Sequence, residues 1–497
     1  MIEKKSIVKQ VLTKYGACVS SDLASYIKME NPFLKPEAIR KMISREKGIN
    51  RLAYVIFSHN RRFVYLNEDF GSNRFWRCLK NSLNQTNSTY GHAINALINN
   101  DGFLSEKDFS ILSGCPLYQK KHLSYSTVLE NLINSRLILK NDIEGVGVVY
   151  SLNNNKITHE IKEKIKLRVV FEEQLNSLVK SWFKNNGFVS YNKVMTKFDI
   201  GESTQVGSFN WCLSSPSYIH PLFSTSNNII TPGFVVCDYN FKSNENKILE
   251  VNETTANTFV KKIQLTINSR KNQRFMFAFF AIKFSKKAFE ILKSNGVIPL
   301  TIANAFGKKI EESILSLNKL INDYSSISKN ENKIELMLDE LKNISGLNQN
   351  LRGLLFELYV ACYAKDLFRY GVTYINKEFS IDGDKAEADV VIDSIEEITV
   401  IECKNTKKLN SNEVNKWLSK RISIINKYYK KYNPENKKIR HILLVSGVIS
   451  EDGMSLLERL IINSKRKEIT YIYGGDLKSL IKERIPKAYS CYLKIIK

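Results

Sequence analysis

The chain has 497 residues, 43% hydrophobic and 25% charged, which is long enough for several domains and typical of a globular protein. Lys and Arg number 74 against 50 Asp and Glu, and this net charge of +24 favours a polyanionic partner such as nucleic acid. No apolar run approaches the ~18 residues of a membrane span, and residues 1–5 lack the apolar core of a secretory signal. The sequence therefore predicts neither a membrane protein nor a secreted one.

Composition leaves a second interpretation of the charge open. The chain is rich in Lys, Asn and Ile, a bias that low-GC coding sequence produces in many unrelated proteins. The eight cysteines are scattered, without a Cys-x-x-Cys or a Cys/His spacing suited to zinc. Reduced thiols in the cytoplasm are therefore the expectation.

Residues 1–70 predict three short helices followed by a hairpin. Apolar residues have helical spacing over 6–15, a Ser-Ser-Asp cap stands at 20–22, and Pro36 opens a third helix. Strands at 52–57 and 63–66 flank a polar turn. This order resembles a winged helix-turn-helix, whose third helix enters a DNA groove while the hairpin touches the backbone. The predicted nucleic-acid contacts on that helix and turn are Arg40, Lys41, Arg45, Arg61 and Arg62.

Residues 71–155 predict the same plan again, with helices at 75–83, 90–98, 105–112 and 126–133 and a wing at 137–139 and 146–152. Residues 1–150 contain 21 basic and 13 acidic side chains, a net charge of +8 that fits DNA contact. Winged helices also serve as protein–protein modules, so both uses stay open.

Residues 156–306 and 346–497 predict two α/β domains that share an order of elements, joined by a helical connector at 307–345. The later domain is predicted to contain a helix at 351–368, strands at 373–379, 388–393 and 398–403, a basic helix at 411–429, and strands at 439–446 and 469–473. The earlier one has strands at 233–239, 274–282 and 297–302. We interpret the two domains as a degenerate internal duplication, and the alternative is two unrelated α/β domains. The last domain is predicted to have a central mixed sheet.

Glu402 and Lys404 stand at the end of the predicted strand 398–403. Because side chains alternate along a strand, both project from one face while Cys403 points to the other. A carboxylate can hold a hard divalent cation, and an adjacent ammonium can orient or deprotonate a water or stabilise transition-state charge. This pattern indicates metal-assisted cleavage of a phosphodiester.

Two further acids are placed to join that pair. Asp389 follows Ala388 and precedes three apolar residues in the neighbouring strand, an unusual position for a solvated charge. Glu357 falls on the apolar face of its helix, beside Leu358 and one turn before Ala361. A buried carboxylate needs a partner, and converging carboxylates need a cation to offset their repulsion.

A helix Glu, a strand Asp and a Glu-x-Lys on the next strand resemble the PD-(D/E)XK nuclease superfamily, which has the restriction-endonuclease-like fold. The resemblance covers roughly residues 350–475. It implies direct binding of Mg²⁺ or Mn²⁺ by Asp389, Glu402 and the backbone carbonyl of Cys403, with Glu357 acting through water and Lys404 serving the attacking water.

The chain departs from the superfamily pattern at one point, because the PD dipeptide reads Ala388-Asp389 here. This leaves Glu387 as a competitor for the role of Asp389. Without convergence of the four residues, the alternative is an exposed ion pair at a sheet edge.

The segment 405–440 adds 11 Lys or Arg against two Glu, and Lys416, Lys420 and Lys427 are predicted to contact phosphates or to form a solvated helix face.

In the earlier domain, aligning residues 234–240 with 398–404 places Asp238 against Glu402 and Asn240 against Lys404. Asn has no charge and no proton to exchange near neutrality, so this second site is predicted to be weak or dead. Glu172 or Glu173 would correspond to Glu357.

The functional expectation is a metal-dependent endonuclease acting on DNA. The resemblance implies a restriction, anti-phage defence or mobile-element setting with accessory proteins. One site per chain cuts one strand, so double-strand cleavage would need a homodimer or two nicks. Two alternatives stay open: a DNA-binding regulator or scaffold with a vestigial nuclease fold, and a ribonuclease.

Overall fold

The computed structural model describes residues 6–86, 88–155, 157–199, 203–226, 229–241, 243–244, 247–248, 250–322, 349–368, 370–432, 437–463 and 468–496. The chain is a mixed α+β protein that divides into two compact units. The first comprises Met1–Lys162 and Asn176–Glu311, and the second Glu163–Leu175 and Glu312–Lys497. Within the described residues, no helix has the length and apolar character that crossing a membrane requires.

The first unit begins with three helices and three strands in the order helix, strand, helix, helix, strand, strand. The helices are Ile7–Tyr15, Ser20–Glu30 and Pro36–Arg45, and the strands are β1 (Cys18–Val19), β2 (Ile49–Phe57) and β3 (Arg61–Leu66). The strands form an antiparallel sheet in the order β1-β3-β2. Ser6 caps the first helix by accepting from the backbone N–H of Lys9, and Pro36 opens the third, as its fixed φ favours.

The next segment repeats this order with one additional leading helix. The helices are Asn73–Gln85, Thr89–Ile98, Glu106–Leu112 and Tyr125–Asn134, and the strands are β4 (Phe103–Ser105), β5 (Ile138–Ile143) and β6 (Gly147–Leu152). The sheet order β4-β6-β5 matches that of the first segment. Serine caps start three of the helices, at Ser72, Ser105 and Ser124.

A five-stranded sheet completes the first unit. The long helix His159–Asn185 precedes it, and residues 163–175 of that helix group with the second unit. The strands are β7 (Met195–Thr196), β8 (Leu213–Ser217), β11 (Gly233–Asn240), β14 (Phe275–Ala281) and β15 (Val297–Thr301). Two small hairpins lie between them, β9 (Ser224–Ser226) with β10 (Ile229–Thr231) and β12 (Ser243–Asn244) with β13 (Lys247–Ile248). The helices are Glu253–Ser269, Lys286–Ser294 and Ile302–Phe306. The helix Lys308–Asn322 follows, and its residues from Glu312 onward group with the second unit.

The second unit contains another five-stranded sheet. Its strands are β16 (Val372–Ile381), β17 (Asp384–Asp393), β18 (Glu397–Lys404), β20 (Lys438–Val445) and β22 (Ile469–Tyr473), and a small pair is formed by β19 (Lys408–Leu409) and β21 (Val448–Ile449). Its helices are Gln349–Cys362, Ala364–Leu367, Ser411–Asn415, Ile422–Tyr432, Glu451–Asn463, Gly474–Arg484 and Tyr489–Ile496. A π-helical turn, Lys416–Arg421, joins Ser411–Asn415 to Ile422–Tyr432.

The two five-stranded sheets have the same topology. The first runs β7-β8-β11-β14-β15 and the second β16-β17-β18-β20-β22. In each, the first two neighbouring pairs are antiparallel and the last two are parallel. Strands β11 and β18 therefore hold the same central position, and each is followed along the chain by a helix.

The strands that bear the proposed chemistry lie where the sequence predicts them. Strands 373–379, 398–403, 439–446 and 469–473 are observed with small changes of boundary, whereas β17 starts at Asp384 rather than at 388. The predicted connector 307–345 is helical at Lys308–Asn322, and residues 323–345 lie outside the described residues. The five predicted domain ranges stay predictions.

Candidate active site

Glu402 and Lys404 lie at the end of the central strand of the second sheet. β18 pairs with β17 on one side and with β20 on the other, and the apolar residues before Glu402 are buried on both faces. Nζ of Lys404 lies 2.6 Å from Oε1 of Glu402, which fits the shared face that strand alternation predicts. The Glu402 side chain is only 4% exposed, whereas that of Lys404 is 29% exposed. The pair therefore reaches solvent through the lysine.

Asp389 approaches the same strand from β17. Regular pairing of the two strands ends at Val390 and Ile401, and beyond it Oδ2 of Asp389 accepts a 2.6 Å hydrogen bond from the backbone N–H of Cys403. Asn376, which the register places opposite Asp389 on β16, has a left-handed backbone with φ 49°. The sheet is thus irregular at Asp389. The backbone of β18, the strand that carries Glu402, fixes the position of the Asp389 carboxylate.

Arg421 is the site residue that sequence analysis missed. Its Nη1 lies 2.6 Å and 2.7 Å from the two carboxylate oxygens of Glu402 and 3.9 Å from Oδ1 of Asp389. The residue ends the π-helical turn Lys416–Arg421, and such turns frequently occur at functional sites. The only signal in the sequence is an Arg within a segment already crowded with basic residues.

Glu357 belongs to the same electrostatic environment. It lies half-buried in the helix Gln349–Cys362. Burial raises the pKa of its carboxyl well above the usual range, and the negative charge of Asp389 raises it further. Lys404 opposes this shift and Glu402 adds to it. The Glu357 carboxyl thus lies within electrostatic range of Asp389, Lys404 and Glu402.

The pKa values of the other two groups follow from the same contacts. Burial, followed by repulsion from Glu402, raises the pKa of Asp389 to about 6, against the lowering effects of Lys404, the Cys403 N–H and Arg421. Burial alone would lower the pKa of Lys404, but attraction to Asp389 and Glu402 outweighs it and raises the pKa above its usual range. Lys404 is consequently an ammonium at neutral pH.

The donor chemistry at this point fits a hard divalent cation, because two carboxylates from adjacent strands face one position. In the structure, Nη1 of Arg421 occupies the position that both carboxylates face. In the described part of the chain, no group of three or more His, Cys, Asp or Glu residues is arranged to hold a metal ion. A cation could bind both carboxylates only after the guanidinium had moved.

Glu387, the competitor of Asp389, is engaged in a different contact. Its Oε1 lies 2.5 Å from Nζ of Lys166, which is also 3.2 Å from Glu163. Asn376 donates from Nδ2 to Glu163. Glu387 therefore serves a buried polar network between the helix His159–Asn185 and the β16–β17 hairpin, whereas Asp389 faces Cys403 and Arg421.

The predicted nucleic-acid contacts fall into two groups by exposure. Side chains exposed to solvent are those of Arg40, Lys41, Arg45, Lys416, Lys420 and Lys427. Arg61 and Arg62 are half-buried. Arg61 donates to the hydroxyl of Ser21 at 3.3 Å, and Arg62 donates to the carbonyl of Ala53. The exposed group is the better placed for phosphates.

Asp238, which the sequence alignment places against Glu402, is paired with a buried lysine in the first unit. Oδ2 of Asp238, on β11, lies 2.6 Å from Nζ of Lys262, and the two side chains are 3% and 1% exposed. Lys262 also donates to the carbonyl of Ile111 at 3.0 Å and lies 4.1 Å from the ring centroid of Trp211. Asn240 is buried at the predicted position of the missing lysine. Glu172 and Glu173 group with the second unit, whereas Asp238 belongs to the first.

Comparison with known proteins gives no family: no family model and no curated protein matches the sequence of this chain.

Proposed function

We propose that the chain is a Mg²⁺- or Mn²⁺-dependent endonuclease whose active site lies in the second unit. One observation carries the proposal: Asp389, anchored to the backbone of the next strand, and the Glu402–Lys404 pair meet at one end of a mixed sheet. Asp389, Glu402 and the carbonyl of Cys403 would hold the cation, with Glu357 reaching it through water. A bound divalent cation supplies Lewis acidity and a water of lowered pKa.

Asp389 and Lys404 would position the groups that take part in the reaction. The carboxylate of Asp389 is held by the Cys403 N–H, so it needs little reorganisation to accept a cation. Lys404 carries a charge beside the scissile phosphate and orients the attacking water or stabilises the developing negative charge.

We propose DNA as the substrate and the N-terminal segments as its binding modules. Each has the helix, strand, helix, helix, hairpin order of a winged helix-turn-helix. The exposed Arg40, Lys41 and Arg45 on the helix Pro36–Arg45 supply positive charge where such a domain contacts a groove. RNA cleavage would use the same site chemistry, so a substrate panel distinguishes the two. A cytoplasmic defence or mobile-element setting remains part of the proposal.

The sheet of the first unit is proposed to be a degenerate nuclease copy. The shared strand order of the two sheets supports duplication, and the buried Asp238–Lys262 pair supports loss of activity.

One observation favours a second candidate, a DNA-binding regulator with a vestigial nuclease fold. Glu402 is already neutralised by Lys404 and Arg421, as in a structural ion-pair network. Nicking of supercoiled plasmid in the presence and absence of Mg²⁺ or Mn²⁺ separates the two candidates. Metal-dependent nicking that Glu402→Gln abolishes while DNA binding persists supports the enzyme.

A further inference from the structure

Arg421 and Lys262 hold corresponding positions in the two sheets, yet their surroundings differ. Each belongs to the helical segment that follows the central strand, and each places a nitrogen 2.6 Å from a carboxylate at the end of that strand. Lys262 is held by a carbonyl and an aromatic ring as well, and only 1% of its side chain is exposed. The Arg421 side chain is 30% exposed.

We propose that Arg421 is a displaceable cation that competes with the divalent metal for Glu402 and Asp389 and so sets the metal affinity of the site. This inference rests on the proposed function in taking those two carboxylates as ligands. It adds a residue that the predicted catalytic set does not contain.

The geometry supports competition for three reasons. First, Nη1 bridges both oxygens of Glu402 and lies 3.9 Å from Asp389, so it stands where a shared cation would stand. Second, a divalent ion placed at that point would lie at contact distance from the guanidinium and be repelled by its charge, so the guanidinium has to withdraw. Third, a partly exposed guanidinium regains water when it leaves, whereas a fully buried cation such as the Lys262 ammonium would lose its partners without compensation.

Departure of the guanidinium does not leave Glu402 without a partner. Lys404 is a second cationic partner of Glu402, 2.6 Å from its Oε1, and an incoming metal would replace the charge that Arg421 withdraws. Arg421 is also the last residue of a π-helical turn, a wider form of helix that frequently occurs at functional sites.

The first test measures Mn²⁺ binding to the full chain, without nucleic acid, by equilibrium titration of the electron-paramagnetic-resonance signal of free Mn²⁺. Arg421→Gln should bind Mn²⁺ about tenfold tighter or more, and Arg421→Lys should lie between this variant and the wild type. Lys430→Gln removes an exposed charge from the same helical region and should leave the affinity unchanged. An unchanged or weaker affinity in Arg421→Gln overturns the proposal, as does an equal gain in Lys430→Gln.

The second test needs no variant and so remains decisive if Arg421→Gln fails to fold. The arginine reagent phenylglyoxal is applied to the wild type with and without Mn²⁺, and modification is mapped by peptide mass spectrometry. Mn²⁺ should raise modification of Arg421 severalfold while leaving that of the exposed Arg45 unchanged. Equal modification of Arg421 in both conditions contradicts displacement.

The outcomes separate this inference from the nuclease proposal. If Arg421→Gln binds Mn²⁺ more tightly but neither protein nicks plasmid, competition stands and the nuclease proposal fails. If the wild type nicks plasmid but the Mn²⁺ affinity of Arg421→Gln is unchanged, the nuclease stands and competition fails.

Discussion

Oδ2 of Asp389 accepts a 2.6 Å hydrogen bond from the backbone N–H of Cys403, the residue between Glu402 and Lys404. This bond joins β17 to β18 beyond the last regular pair, Val390 with Ile401. One carboxylate oxygen thus holds the strands together, while the other lies toward Arg421 at 3.9 Å. The structural and the proposed chemical role of Asp389 belong to different oxygens and can be tested separately.

Asp389→Asn should keep the fold and lose activity. Its amide oxygen can still accept from Cys403, whereas the charge that would hold a cation is gone. Asp389→Ala leaves the buried N–H unpaired and should destabilise the protein by about 1–3 kcal/mol as well. The two variants are compared by denaturant unfolding and by Mg²⁺-dependent plasmid nicking. Equal stability of both, or nicking by Asp389→Asn at the wild-type rate, would contradict this division of roles.

Lys262→Met should destabilise the first unit without altering the nuclease site. It leaves the carboxylate of Asp238 buried without its cation, a change that typically costs about 3–5 kcal/mol. The double variant with Asp238→Leu should recover part of this loss, because no charge then stays buried. Denaturant unfolding can be followed by intrinsic tryptophan fluorescence, to which Trp211, beside Lys262, contributes.

The matched control for Lys262→Met is Lys271→Met, which removes an exposed charge from the same unit. It should change the free energy of unfolding by less than about 0.5 kcal/mol. A stability loss in Lys262→Met no larger than in this control would show that the buried pair is not structural.

His92 should make the first unit less stable in mild acid. Burial, followed by the charge of Lys261, lowers the pKa of the imidazole to about 4, below the ~6.5 of an unfolded chain. The unfolded state therefore binds a proton that the folded state does not. The contribution of His92 to the free energy of unfolding is therefore complete above about pH 6.5. It decreases as the pH falls toward 4, by at most about 1.4 kcal/mol per pH unit.

The proton positions around His92 agree with a neutral ring. Thr258 donates its hydroxyl proton to the carbonyl of Thr254, so it must accept from Nδ1 of His92, 2.7 Å away. His92→Gln should flatten the pH dependence of hydrogen exchange in the helix Thr89–Ile98, whereas replacement of the exposed His122 should not. An equally steep pH profile in His92→Gln would show that His92 does not cause the acid sensitivity.

Arg40, Lys41 and Arg45 should contribute charge to DNA binding rather than sequence preference. Replacing all three with Ala should weaken binding to every duplex and reduce the slope of log affinity against log salt by about 0.9 for each phosphate that is no longer neutralised. The measurement is fluorescence anisotropy over a range of salt. Replacing the exposed Lys271, Lys286 and Lys293 removes the same charge elsewhere and should reduce the slope less. Equal slopes would exclude this helix as the binding surface.

Much of the fold could be predicted because it depends on local patterns. Apolar runs locate β18 and β20, and caps such as Ser105 locate helix starts. Alternation along β18 also places Glu402 beside Lys404 correctly. The limits come from long-range geometry: the irregular pairing at Asp389 depends on Asn376, on another strand, and on a backbone contact to Cys403.

Arg421 could not be selected from the sequence for a related reason. It is one of many cations between residues 405 and 440, and it ends a π-helical turn that the regular helical pattern of the sequence does not predict. Alternation along β17 likewise predicts Val391 on the side of Asp389, whereas Val391 joins Ala386 and Ala388 in one buried cluster. Regular periodicity fails at the same point where the site forms.

The most direct test is nicking of supercoiled plasmid by the full chain with Mg²⁺, Mn²⁺ or a chelator. Wild type and Glu451→Gln, which alters an exposed acid, should nick in either metal and stop with chelator. Glu402→Gln should lose at least about a hundredfold in rate, the scale of one essential catalytic group, while still binding DNA. If the wild type cuts neither DNA nor RNA in any divalent metal, or if Glu402→Gln cuts as fast as Glu451→Gln, the active site assigned to the second unit does not exist.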